Sequence, residues 1–130
     1  MLLLLLLLLT VVPVGAWQLA RRRTPHHTWL VTGLALGTVV SPISFGLYAT
    51  YFIPFIGLIP GMLGLVLSSV HGAPGYYASV LFGLVPAGTV VSESGHVVVE
   101  VINGAIWAPI YGAIGYLIDR SCASRPGRLA

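Results

Sequence analysis

The segment Thr28 to Val70 reads TWLVTGLALGTVVSPISFGLYATYFIPFIGLIPGMLGLVLSSV, 43 residues without a charged side chain. The uncharged run extends further, from Thr24 to Ser92, and covers 69 residues with no Asp, Glu, Lys or Arg. As one helix it would measure about 104 Å at ~1.5 Å per residue, against a hydrocarbon core of about 30 Å. The chain must therefore reverse more than once. Backbone polar groups in lipid have to be satisfied within their own segment, and no alternating strand pattern is present. The expected fold class is all-α, a polytopic transmembrane helical bundle forming one domain over residues 1–130.

Composition points the same way. Of 130 residues, 57% are hydrophobic and 7% are charged, whereas soluble domains carry about a quarter charged residues. So few charges cannot build a water-facing surface, and the expected partner is the lipid bilayer. All six basic residues are Arg, in two groups, Arg21-Arg22-Arg23 and Arg120/Arg125/Arg128. Clusters of this kind are topology signals rather than a nucleic-acid footprint, so no nucleic-acid partner is expected. Arg-only usage with abundant Gly, Ala, Val and Pro suggests a GC-rich bacterial gene, hence an inner-membrane location. Cys122 is the only cysteine, which excludes an internal disulfide.

Five helices are expected, near residues 2–20, 28–48, 51–70, 76–92 and 96–118, with a polar cytoplasmic tail at 119–130. The alternative is three helices plus re-entrant segments. A secretory signal peptide rivals the first helix, but the charges follow its apolar run instead of preceding it. His71-Gly72-Ala73-Pro74-Gly75 reads as the clearest turn. Both Arg groups lie on the cytoplasmic side if an even number of crossings separates them, which places the N-terminus outside. Four crossings satisfy this, and so do two crossings plus re-entrant segments. Trp29, Tyr48, Tyr51, Tyr76 and Tyr77 fall near expected helix ends, as an interfacial belt would.

Among packing signals, Gly33/Gly37 and Gly57/Gly61 carry no information, because sixteen glycines produce such pairs by chance. The ridge Gly104, Ala108 and Gly112 recurs every four residues and lets another backbone approach. Pro60 and Pro86 sit in similar pentapeptides, GLIPG and GLVPA, and are candidate helix breaks meeting at the midplane.

The fifth helix carries the chemistry. His96, Glu100, Asn103, Trp107 and Tyr111 fall within an arc of about 80° at 100° per residue. Such a stripe should face protein or water rather than lipid. With Trp107 at the midpoint, Glu100 lies about 10 Å and Asn103 about 6 Å from the bilayer centre. An ionised acid there costs about 2.5–3.5 kcal/mol or somewhat less. It must be neutralised by a proton or stabilised by a partner such as His96, one turn away. A His–Glu pair under a wet vestibule could pass protons or hold a small cation. A metal site needs more ligands than His96, Glu100 and His71 offer. His26 and His27 fall on the opposite side, and no metal or cofactor is expected. No nucleophile elbow, Cys pair or phosphate loop is present, so an intramembrane enzyme is the weakest reading.

Two functions remain. The leading one is a structural or accessory subunit that self-associates, or docks into another membrane protein, through Gly104/Ala108/Gly112. The other is a proton- or ion-coupled transporter or channel working through the polar stripe.

Overall fold

The computed structural model describes residues 2–54, 57–88 and 91–124. The described residues are all-helical. The helices are α1 (Leu2–Arg23), α2 (Thr28–Ala49), α3 (Leu58–His71), α4 (Ala73–Leu81) and α5 (Glu93–Ala123), with short 3-10 turns at Pro25–His27 and Thr50–Phe52. Three helical stretches are long and apolar enough to cross a membrane: Pro25–Phe52, Leu58–Leu81 and Ser94–Ala123. Arg125 and Arg128 lie outside the described residues.

The centre is an antiparallel pair of α2 and α5. Gly33 meets the backbone of Tyr111 and Gly112, Gly37 that of Trp107 and Ala108, and Gly115 that of Trp29. At the other end the Phe45 ring packs on His96, 5.6 Å between centroids. Only small residues let two backbones come this close. Asp119 locks the register. Its Oδ1 accepts the Trp29 N–H at 3.1 Å and its Oδ2 the Leu30 N–H at 2.9 Å. The end of α5 thereby supplies the carboxylate cap that α2 lacks at its own start, where a negative charge suits the helix dipole. The α1 helix packs along α2, so Arg21–Arg23 and Arg120 share one end of the molecule.

Ile53 precedes a proline and is extended, at φ −89° and ψ 115°, which ends the α2 stretch. The α3 helix then packs back along α2, Gly61 on Tyr51 and Gly64 on Leu47 and Tyr48. At Gly72 the helix breaks, although the residue keeps right-handed helical angles. Beyond it, Gly75 lies against Asn103 and Val99, and a Cβ on Gly95 would come 3.7 Å from Val85. The chain thus reaches the middle of the α2–α5 pair along α2. It leaves along α5, toward the end where α5 begins. Gly83, at φ +69°, terminates α4 in the left-handed conformation that favours glycine. Ser92 starts α5 as its N-cap, accepting the Gly95 N–H at 3.2 Å.

Several expected features take other positions. The expected turn at 71–75 lies in the middle of the α2–α5 pair, and Tyr76 and Tyr77 fall within α4. The chain reverses again at 82–92, between α4 and α5. Pro60 breaks nothing, because it sits in the first turn of α3, where a missing N–H has no helical partner to lose. Pro86 lies after α4, outside any helix. Pro74, in the first turn of α4, is the proline at the actual break.

The interior is polar and the exterior apolar. Buried hydrophobic residues are Ala20, Val39, Val85 and Val99, while Thr28, Ser41, Ser44, Thr50, His71, Ser79 and Asn103 are also buried. Ile59 is 80% and Leu81 81% exposed. Helices joined by glycine contacts and hydroxyls, with leucines turned outward, suit an apolar solvent.

Candidate functional site

The helix break and the polar stripe of α5 form a single arrangement. Around Pro74 the normal helical hydrogen bonds are interrupted, and side chains of α5 take up the freed groups. Asn103 is fully buried. Its Oδ1 accepts the Gly75 N–H at 2.6 Å, and its Nδ2 donates to the Gly72 carbonyl at 3.3 Å and to Ser41 Oγ at 3.1 Å. One amide thus ties α2, α5 and both halves of the broken helix. Trp107 Nε1 donates to the His71 carbonyl at 2.9 Å, so the centrally placed indole has the partner a buried N–H requires.

His71 closes the lower side of the break. Its Nδ1 lies 2.9 Å from the Leu67 carbonyl and its Nε2 2.9 Å from the Tyr111 hydroxyl. A carbonyl only accepts, so Nδ1 carries a proton and donates to it, while Nε2 pairs with the Tyr111 hydroxyl. The Trp107 ring stacks at 4.8 Å. His71 is therefore fully engaged and set apart from His96 and Glu100, which do not join it in an acid–base set. Among the described residues no three His, Cys, Asp or Glu side chains come together as metal ligands. His26 and His27 sit in the turn between α1 and α2, at the Arg end.

Glu100 lies one turn above Asn103 and is half-buried. The Ser41 hydroxyl, which accepts from Asn103, lies beside the Glu100 carboxylate, and both line one hollow with His96. Glu100 Oε2 is buried and has no hydrogen-bond partner among the described residues. Two hollows reach this residue. One, of about 550 Å³, opens between α2 and α5 and is lined by Thr38, Pro42, His96, Val97, Glu100 and Gly104 among others. The other, of about 230 Å³, lies beneath α3 and α4 and includes Ser41, Tyr48, Ser68, Tyr76 and Glu100. The acid stands in the partition between them.

The ridge Gly104/Ala108/Gly112 faces α2 of its own chain. A Cβ on Gly104 would lie 3.3 Å from the Thr38 carbonyl, Ala108 abuts Gly37, and Gly112 meets Leu34. A second copy cannot use it without displacing α2. Sequence reading missed Gly33, Gly37 and Ser41 on the facing helix, and Gly72 and Gly75 at the break. It also missed Asp119. One available signal was that α2 begins without a capping acid of its own while α5 ends in one.

No family model matches the sequence, and no curated protein or solved structure is significantly similar to it.

Proposed function

We propose that the chain is a small multi-pass membrane protein carrying a proton or small-cation site at Glu100. In this reading α1, α2 and α5 cross the bilayer, while α3 and α4 enter to mid-depth and return. Individually α3 and α4 are about 21 and 14 Å long, too short for a core of about 30 Å. Exposed Trp29 and Tyr51 lie about 33 Å apart along α2, the spacing of two interfacial belts. Arg21–Arg23 and Arg120 share one end, with two crossings and a re-entrant pair between them in this reading. Short basic loops favour the cytoplasm, so the N-terminus is outside and the C-terminus inside. Arginine-only usage supports a bacterial inner membrane.

The observation that carries the ion or proton role is the bare Oε2 of Glu100 between two hollows. Unpaired acids inside membranes mark ion and proton paths. The broken helix beside it supplies irregular backbone at the depth where transporters build their sites. The test is flux in proteoliposomes under a proton or sodium gradient. Glu100→Gln should abolish flux, leave helicity unchanged and not lower the melting temperature. Equal flux in variant and parent would remove the proposal.

A second reading, an accessory subunit that self-associates or docks into a larger membrane complex, is supported by the broad apolar face of α3 and α4, including Ile59 and Leu81. Because Gly104/Ala108/Gly112 is occupied within the chain, docking would use that outer face instead.

A further inference from the structure

At the Arg end, α1 and α2 enclose a groove with two chemically different halves. The deeper half is apolar, about 420 Å³, lined by Pro13, Val14, Trp17, Trp29 and Thr32. The outer half, about 410 Å³, shares Trp17 and Trp29 and adds Arg21, Pro25, His26 and Asp119. Arg21 holds its guanidinium over the Trp17 ring, 4.8 Å from the centroid. That contact keeps the cation at the mouth.

The charge there is complementary to an anion. Arg22, Arg23 and Arg120 surround the same end. The carboxylate in the groove, Asp119, spends both oxygens on backbone N–H groups of α2. An apolar trough about 10 Å long, from Arg21 back to Val14, with a guanidinium at one end, matches the layout of a lipid headgroup and chain. We propose that this groove binds one anionic phospholipid. Its phosphate sits at Arg21 and His26, and an acyl chain lies between Trp17 and Trp29. The inference rests on the reading in which the Arg end lies at a bilayer surface.

The test is native mass spectrometry of the full chain released from nanodiscs of mixed phosphatidylglycerol and phosphatidylcholine. One phosphatidylglycerol per chain should be retained in preference to phosphatidylcholine. Arg21→Gln should reduce that preference about fivefold, the value of one basic residue near an anionic surface. Arg22→Gln removes the same charge but lines neither half of the groove, and should leave most of the preference. Thr32→Trp, which fills the apolar half, should also release the lipid. Equal losses at positions 21 and 22 would overturn the groove, leaving only a diffuse surface charge. Displacement of the lipid by inorganic phosphate would likewise overturn it, since a trough that holds the chain is not emptied by a headgroup mimic. The underlying topology is checked separately by labelling Cys122 and an Arg22→Cys variant in intact cells. Labelling from opposite faces would refute the topology, whereas same-face labelling with no retained lipid refutes the groove alone.

Discussion

Replacing Asn103 by Ala removes the one side chain that bridges both halves of the broken helix and α2. The losses are unequal. The Gly72 carbonyl keeps the Tyr76 N–H at 3.2 Å, and Ser41 stays on the hollow it lines with Glu100. Gly75 N–H loses Oδ1, its acceptor among the described residues. Side-chain hydrogen bonds between membrane helices average about 0.6 kcal/mol, so three contribute roughly 2 kcal/mol. An orphaned buried donor adds about 1–3 kcal/mol. Asn103→Ala should therefore cost about 3–5 kcal/mol, a large share of a typical folding free energy. Asn103→Leu, which keeps the volume but none of the bonds, should recover only a minor part. Denaturant titration of the protein in mixed micelles gives the free energies, and amide exchange at Gly75 reports the local event. Exchange there should accelerate far more than at α2 or the centre of α5. If Asn103→Leu matched the parent, or if the Gly75 amide stayed protected in both variants, the claim that Asn103 holds the break together would fail.

Asp119→Ala should lose the cap of α2, about 0.5–2 kcal/mol, and Asp119→Asn about half of that because one acceptor remains; melting curves of the two variants rank them, and parent-like stability of the Ala variant would discount the cap. Gly37→Ala should destabilise strongly, because its Cβ would lie 2.5 Å from Ala108 Cα, whereas Gly104→Ala, with 3.3 Å to the Thr38 carbonyl as its nearest contact, should be tolerated. The reverse ranking in a thermal melt would mean that α2 and α5 do not pack in this register.

What was legible in the sequence was whatever local chemistry decides. The boundaries of α2 were expected at 28–48 and are Thr28–Ala49, since charges and prolines bracket a uniform apolar run. The stripe on α5 follows from 100° periodicity alone, and the helix places Asn103, Trp107 and Tyr111 together at the break. Its partners could not be read, because Ser41 lies 62 residues from Asn103 and His71 lies 36 from Trp107 and 40 from Tyr111, and they meet only through the fold. The break was expected as a turn between two crossings, and it lies in the middle of the α2–α5 pair. Gly72-Ala73-Pro74-Gly75 has the composition of both, and what separates them is whether buried side chains replace the lost hydrogen bonds. Gly33 and Gly37 were invisible for a statistical reason: in a chain with sixteen glycines, spacing alone cannot tell a contact from a coincidence.

The bonding around the break also bears on what Glu100 is for. Gly75 N–H, the Gly72 and His71 carbonyls and both nitrogens of His71 are each matched by protein, through Asn103, Trp107, Tyr111 and Leu67. A network that needs only to hold a helix break together is complete at that point. Glu100 makes none of these bonds, and brings a buried oxygen that no group in the described residues satisfies. In an apolar surround such an oxygen is costly, and Gln or Ala would spare the charge. Ser41, beside the carboxylate and bonded to Asn103, would give such a site a mechanical link. A proton or cation arriving at Oε2 would alter the surroundings of Ser41, whose bond to Asn103 reaches the residue on which the break depends. The expense of an unmatched acid is intelligible if its second oxygen is reserved for an exchangeable ion whose arrival is felt at Gly72–Gly75.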